Sequence, residues 1–370
     1  MFLNNPFPDA FGLDIGDSSV KLVQLRHKHP LGRPAYLYPE SLRSVALPPG
    51  IIINGEIQQP EIVRKKILHL LGRDGAYPKI ESPWVVANLP EPQTFLKLID
   101  IPTPAKDLVY EEVSFHASRH LPFDLADTYL DWQVLNPASD SPTSKVLIAA
   151  VQKMIADSYT YLLEAAGLNI LALDAEAIAV SRALITSSKD YTGMARALVD
   201  IGASRSYIVI YDNDSIMFSK TLGFTGESVT TAIAQALKIE RDEAEKIKTS
   251  TGINVNKDFP NYITVIDTLI MKLVTEIKSS IRFYEEHFAA ANPITHITMC
   301  GGLSNLANID TVLSQKLKIS ARPGNVWKNL APASVSESIT DDEKRRGLAF
   351  ATAIGLALRA VDNPLVNSNL

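Results

Sequence analysis

The alternation of apolar and polar positions starts the chain twice in the same way. In "FGLDIGDSSVKLVQL", residues 11–25, an apolar run ends at Asp14 and Gly16, a small polar turn follows, and a second apolar run leaves it. "ALVDIGASRSYIVIY", residues 197–211, repeats this, and about half of the 370 residues separate Asp14 from Asp200. A third strand-like run follows each copy: "AYLYPESLRSVAL" beyond a turn at "HPLGRP", and "SIMFSKTLGF" beyond a turn at "DND".

Further strands are predicted over "SPWVVANLP", "QTFLKLIDIP", "TYLDWQVL", "KVLIAAVQ", "NILALDAE" and "ITHITMCGG", with a Ser/Pro-rich loop at 137–144. Helical spacing marks "PEIVRKKILHLLGRDG", where Ile62, Ile67, Leu70 and Leu71 share a face and Gly72 suits the end. A helix is expected from near Pro104 to just before Pro122, another over "KMIADSYTYLLEAAGL" with Gly167 as its cap, and a third from "AIAVSRALI". "SSKDYTGMAR" reads as a boundary. Helices then dominate from "GESVTTAIAQALKIERDEAEKIKTSTG" to "YITVIDTLIMKLVTEIKSSIRFYEEHF", and "DDEKRRGLAFATAIGLALRAV" is predicted as one last helix. A repeat of this extent predicts two related α/β domains facing each other, with a ligand cleft between them.

Composition narrows the function. Hydrophobic residues make up 46% and charged residues 21%, as in an ordinary globular protein. A net charge of −5 implies no broad basic surface, which excludes nucleic acid as the main partner. The single cysteine, Cys300, forms no internal disulfide and no multi-Cys metal site; it reads as a buried structural thiol or as a reactive one. "MFLNNPFPDAFG" lacks the pattern of a signal peptide, no run reaches the roughly 18–20 apolar residues of a membrane span, and "VDNPLVNSNL" is too polar for an amphipathic anchor. The expectation is a cytoplasmic protein without direct membrane insertion, reaching a membrane through a partner.

The chemistry lies in the two turns. A tight loop of glycine and small residues points backbone N–H groups in one direction and forms an anion nest. Ser18, Ser19 and Ser204 add hydroxyl donors. An aspartate beside a phosphate makes sense if a hydrated Mg²⁺ lies between them. Two nests and two aspartates therefore predict a nucleotide polyphosphate held from both sides. Paired β-hairpins with glycine turns are the alternative. No G-x-x-x-x-G-K-[ST] or G-x-G-x-x-G occurs.

"GLDIGDSSVKLVQL" and "LVDIGASRSYIVIY" resemble the two phosphate motifs of the actin-like ATPases, which include MreB, FtsA, heat-shock chaperone ATPases and sugar kinases. "ITMCGGLSNL" resembles their adenosine motif, and "GLNILALDAEAIAVSRAL" and "GLAFATAIGLALRAV" their two connecting helices. The DIG–SSVKLVQL opening, "LPFDLADTYLDWQVL", "IERDEAEKIK" and "AIGLALR" look most like the PilM family of type IV pilus assembly.

The resemblance implies an actin-like fold with a first domain at 1–87, an inserted subdomain at 88–165 and the rest of the first domain at 166–196. The second domain would span 197–345, with a helical subdomain at about 226–292, and residues 346–370 would return to the first domain. It also implies ATP or ADP with Mg²⁺. Asp14, Gly16, Asp17, Ser18 and Ser19, together with Lys21, would form the first phosphate loop; Asp200, Gly202, Ala203 and Ser204 the second; Gly301 and Gly302 the adenosine contact. Asp14 and Asp200 would face the metal. Glu245 and Lys248 share a helix face and would contact ribose or adenine, or else belong to a solvated charged helix. Glu176 would orient the attacking water for slow hydrolysis, or else be a helix-start carboxylate.

Two positions depart from the family pattern: Asp17 adds an acid to the first loop, and Leu303 follows Gly302 where a small residue is usual. The partners implied are other pilus assembly proteins, a second copy of the chain, and a PilN-like inner-membrane protein. The PilN-like N-terminal segment would dock by strand pairing at residues 82–102, beside Phe115 and Leu121, or else these strands close the subdomain's own sheet. An FtsA-like polymer-forming tether and a sugar kinase are the rival readings. The first lacks its amphipathic C-terminal helix in the sequence, and the second lacks a recognisable sugar-site base.

Overall fold

The computed structural model describes residues 5–30, 35–135, 141–187, 189–288, 290–332 and 339–361. The first four residues, most of the turn at "HPLGRP", much of the 137–144 loop, Ser188 of the boundary segment and the polar tail beyond Val361 lie outside the described residues. The chain divides into two compact units. One holds the described residues up to Ala183, 214–219, and those from Thr352 onward; the other holds 184–213 and 220–351.

The first unit is built on β1 (Phe11–Ile15), which is buried along its whole length. β1 pairs antiparallel with β2 (Ser19–Lys28), which pairs with β3 (Tyr36–Ala46). On its other side β1 runs parallel to β6 (Trp84–Leu89), and β6 to β10 (Asn169–Ala175). Alternation sends Phe11, Leu13 and Ile15 to one face and Gly12 and Asp14 to the other. The first face is covered by α1 (Pro60–Leu70) and α3 (Lys153–Ala165), which bury Val63, Ile67 and Leu70 and Ile155, Tyr159, Leu162 and Leu163 in the same core. On the second face Ala179 of α4 (Glu176–Leu184) and Leu356 and Ala360 of α10 (Ala351–Val361) pack with Val86. A Cβ at Gly12 would run into the backbone of Ala353 and Ala357, so the glycine lets α10 close on the sheet.

The same unit carries a smaller antiparallel sheet, ordered β7 (Thr94–Ile101), β9 (Ser144–Gln152), β8 (Thr128–Leu135). α2 (Tyr110–Ser118) packs Val113 and Ala117 against Ile99, Ile101, Val146 and Ile148. This helix is shorter than its sequence predicts: Leu108 and Val109 are extended, and only a single 3-10 turn, Ala105–Asp107, precedes them.

In the second unit β11 (Ala195–Ile201) repeats the role of β1. It pairs antiparallel with β12 (Ser206–Asp212) and parallel with β14 (Ile294–Cys300), which pairs with β15 (Ser320–Pro323). The repeat seen in the sequence is thus a repeat of strand topology. The helices are α5 (Gly226–Leu237), α6 (Arg241–Thr251), α7 (Tyr262–His287), α8 (Ile309–Leu317) and α9 (Asp341–Leu348). α7 buries Ile266, Ile270, Leu273, Ile277, Ile281 and Tyr284, at the three-to-four-residue spacing of one helix face.

The last helix is not continuous as expected. The Leu348 carbonyl accepts the Gly301 N–H at 3.0 Å, and the amides of Ala349 and Phe350 turn back to Arg346 and Gly347. These short-range bonds tighten the end of α9, and α10 starts afresh at Ala351.

Candidate nucleotide site and peptide groove

In the first unit the loop after β1 closes tightly: Gly16 donates its N–H to the Ser19 carbonyl at 3.0 Å, and Ser18 accepts from Leu47 at 2.9 Å. Antiparallel register sets Asp14 opposite Lys21, and the two form a 3.0 Å ion pair. The Asp17 carboxylate turns toward another element, and its Oδ1 accepts the Gly55 N–H at 3.1 Å. β10 delivers the buried Glu176 to the start of α4.

Asn88, near the end of β6 and fully buried, ties these parts together. Its Oδ1 accepts the Ile15 N–H at 2.7 Å, and its Nδ2 donates to Glu176 Oε1 at 2.8 Å. Sequence reasoning missed Asn88; the only signal was a polar side chain inside the apolar run "WVVANLP".

In the second unit the same register acts on Asp200. It lies opposite Tyr207 on β12 and opposite Cys300 on β14. The Cys300 thiol donates to Asp200 Oδ2 at 3.3 Å, and the Tyr207 hydroxyl lies 3.5 Å from the same oxygen. Burial, reinforced by the charge of Asp200 and the hydrogen bond to it, pushes the Cys300 thiol well up. Cys300 therefore sits as a protonated donor, which decides against the reactive-thiol reading.

Gly202 closes its turn by donating to Arg205 at 2.9 Å, while the carbonyls of Gly202 and Ala203 accept the N–H groups of Gly226 and Glu227 at 3.0 and 2.7 Å. The loop holding Ser204 thus abuts the N-terminus of α5, whose Thr225 cap and Ser228 form a capping box.

Lys248 is 4% exposed, against the solvated-helix alternative. Its ammonium donates to Glu245 at 2.6 Å, to Thr230 at 2.8 Å and to the Gly226 carbonyl at 3.2 Å. Glu245 is half exposed; burial raises its pKa, but hydrogen bonds from Lys248 and Thr230 outweigh this and hold it below the ordinary value. The structure thus brings Glu245 and Lys248 to the start of α5.

Gly301 has φ +82°, and a Cβ there would strike the Asp200 carboxylate, so this position requires glycine. Among the described residues a Cβ at Gly302 would meet no atom. Its lack of a side chain is not demanded by the protein's own packing, which suits close approach of a ligand. Leu303, by contrast, is buried.

Among the described residues no group of three or more His, Cys, Asp or Glu side chains is arranged to hold a metal. The donor set present, single carboxylates beside backbone nests, suits Mg²⁺ bound mainly by water and phosphate rather than a protein cage.

The first unit also contains a groove of about 610 Å³. Its walls are β8 and β10, each the terminal strand of its pairing series, with β9 as floor and α3 at one side. Leu96, Trp132, Leu147, Ala149, Leu171 and Leu173 give it an apolar lining. At one edge Asp174 is bonded by both Arg182, at 2.9 Å, and Arg359.

The groove includes part of the expected docking stretch, since Leu89, Thr94 and Leu96 line it. Trp84–Leu89 is paired on both sides, by β1 and β10, and Thr94–Ile101 is paired by β9 and opposite Phe218 of β13 (Ser215–Leu222). Among the described residues Trp84–Leu89 therefore has no free edge, while Thr94–Ile101 meets β13 at one register position, Lys97 opposite Phe218. Phe115, exposed on α2, and Leu121 do not line the groove.

The family described as type IV pilus assembly protein PilM matches residues 12–361. The chain belongs to this family. The solved PilM-PilN type IV pilus biogenesis complex superimposes with a TM-score of 0.80 at 26% identity, over 96% of this chain and 100% of that one. MreB5 of Spiroplasma citri bound to AMPPNP follows with a TM-score of 0.52 at 12% identity, over 95% of each chain, a likeness of fold alone. The cell division protein FtsA of Buchnera aphidicola is 24% identical over 208 residues, 48% of this chain and 46% of that protein, so the chain spans less than half the length of that relative. The fold is the actin-like α/β fold, and the chain is an actin-like protein of type IV pilus assembly. Among the described residues no helix is long and apolar enough to cross a membrane.

Proposed function

We propose that this PilM-family chain is a cytoplasmic, nucleotide-controlled scaffold of type IV pilus assembly. It binds ATP or ADP with Mg²⁺ through the loops at Asp14–Ser19 and Asp200–Ser204, and docks the cytoplasmic N-terminal segment of a PilN-like inner-membrane protein. The observation that carries the partner reading is the groove. It is an apolar trough of about 610 Å³ between two terminal strands, with backbone groups along its walls for strand addition. Nucleotide binding is supported by the two closed nests, each with an aspartate on the preceding strand, and by Glu245 and Lys248 at the start of α5.

The test has two arms. Calorimetry with Mg·ADP and Mg·ATP is expected to show binding, and its absence with both ends the nucleotide reading. Fluorescence titration with the N-terminal peptide of the PilN homologue is expected to give micromolar affinity. Filling the groove by Ala149→Trp should abolish it while nucleotide affinity stays. Peptide binding untouched by Ala149→Trp moves the partner elsewhere.

A further inference from the structure

The hairpin of β4 (Ile52–Ile53) and β5 (Glu56–Ile57) is bonded both to the first phosphate loop and to elements that carry groove-lining residues. On one side the Gly55 N–H donates to Asp17 Oδ1 at 3.1 Å. On the other, the Gly55 carbonyl accepts the buried Tyr159 hydroxyl at 3.0 Å. Tyr159 is on α3, whose Ala156, Asp157 and Thr160 line the groove. A second tie runs through the turn between β6 and β7: Gln93 Nε2 donates to the Asn54 carbonyl at 3.0 Å, and Pro90 packs so closely on Gly55 that a Cβ there would collide with it. That turn is flanked by Leu89 and Thr94, both groove-lining. One residue, Gly55, is therefore held through its N–H by the nucleotide loop and through its carbonyl by a helix that lines the groove.

The hairpin is poorly suited to absorb movement. Its two central residues, Asn54 and Gly55, both have positive φ (+50° and +84°), the geometry of a tight hairpin turn. Ile51 and Ile52 anchor it in the core. A shift of Asp17 therefore passes to the Gly55 peptide as a rigid-body displacement, and from there to α3 and the 90–93 turn.

We infer that this hairpin is the mechanical link between nucleotide and peptide, with Asp17 acting as the latch on the hairpin rather than as a phosphate or metal ligand. The inference rests on the functional reading above and names the regulation of its groove. Because coupling free energies are reciprocal, nucleotide changes peptide affinity by the same factor as peptide changes nucleotide affinity.

The experiment measures the dissociation constant of the PilN-derived peptide without nucleotide and with saturating Mg·ADP or Mg·ATP, in the full-length chain and in Tyr159→Phe, Gln93→Ala and the double variant. Neither residue lines the groove or the loop. Wild type is expected to show a ratio of about fivefold or more for at least one nucleotide, the lower end of ordinary allosteric factors. Both separate affinities should hold in the variants, while the ratio moves toward one, furthest in the double variant. Gln93 is surface-accessible, so Gln93→Ala keeps the test standing if Tyr159→Phe does not fold. A wild-type ratio of one, or a ratio unchanged in Gln93→Ala and in every variant that folds, overturns the inference while leaving nucleotide and peptide binding intact. Absence of nucleotide or peptide binding in wild type instead overturns the functional reading on which the inference rests.

Discussion

Asn88 holds Glu176 at 2.8 Å with one end of its amide while the other end accepts the N–H of Ile15 at 2.7 Å, the last residue of the first DIG strand. Its place recurs in the second unit. There Cys300 stands at the matching point of the parallel neighbour strand and donates to Asp200, as Tyr207 stands where Lys21 does. The two halves share their topology but fill the equivalent positions with different chemistry: an amide bridging a loop to a carboxylate in one, a thiol bonded directly to an aspartate in the other.

On the reading that the site hydrolyses ATP slowly with Glu176 orienting the water, Glu176→Gln is expected to keep nucleotide affinity and to slow hydrolysis by about a hundredfold, the range of a lost general base or water-positioning acid. Asn88→Leu should slow it as well and cost about 1–3 kcal/mol of stability, since it strips a fully buried backbone N–H and the Glu176 carboxylate of a partner. Phosphate release and urea unfolding measure both effects. Glu176→Gln hydrolysing at the wild-type rate removes Glu176 from the reaction.

Asp14→Ala and Asp200→Ala should each weaken Mg²⁺-dependent nucleotide binding while leaving the metal-free component smaller in its change. Cys300→Ala removes a donor that fixes the Asp200 carboxylate, with a loss of about threefold to tenfold in Mg²⁺-dependent affinity, the scale of one hydrogen bond to a charged group made by a weak donor. Cys300→Ser should restore most of it. Calorimetry with and without Mg²⁺ decides, and equal affinities in all four variants dismiss the paired-aspartate reading.

How much of this was legible depended on distance along the chain. The DIG turns, the long α7 and the start of α4 follow from local spacing and small-residue turns, and each reads directly from consecutive positions. Asn88, Tyr207 and Cys300 gain their roles only through cross-strand register: Ile15 and Asn88 are 73 positions apart, Asp200 and Cys300 100. The groove's terminal strands, β8 and β10, escaped the sequence for the same reason, although Leu89, Thr94 and Leu96 of the expected stretch line it. An apolar run such as "WVVANLP" does not say whether one or both of its edges are taken. The break at Ala349–Phe350 also depends on a remote group, the Gly301 N–H that takes the Leu348 carbonyl.

Alkaline pH should destabilise the second unit. Burial pushes Tyr262 from 10.0 up to about 12, and its hydroxyl donates to the Gly252 carbonyl at 2.8 Å. Burial also raises Tyr284, helped by its hydrogen bond to Asp212. Below pH 10 both phenols are neutral in folded and unfolded chains, and their contribution is complete. Between pH 10 and about 12 the unfolded chain sheds the Tyr262 proton and the folded chain does not, so stability falls as pH rises through that window. Urea midpoints measured across it should drop, and Tyr262→Phe should flatten the drop. An unchanged slope in that variant assigns the alkaline loss to other groups.

Gly355 sets the distance between α10 and α4, and through it the position of Glu176. A Cβ at Gly355 would overlap the Ala179 carbonyl, which is backbone and cannot swing aside. Ala179 is three residues along α4 from Glu176, on the same side of the helix. Gly355→Ala must therefore push the two helices apart. The expected cost is about 1–3 kcal/mol, the usual price of overpacking. Displacing α4 also draws Glu176 off the amide of Asn88, so hydrolysis should fall further than nucleotide affinity. The comparison is Gly50→Ala, at a positive-φ glycine where a Cβ would meet nothing, which should lose stability by backbone strain alone and leave hydrolysis unchanged. If Gly355→Ala unfolds at the wild-type urea midpoint, the close crossing of the two helices is not what holds Glu176 in place.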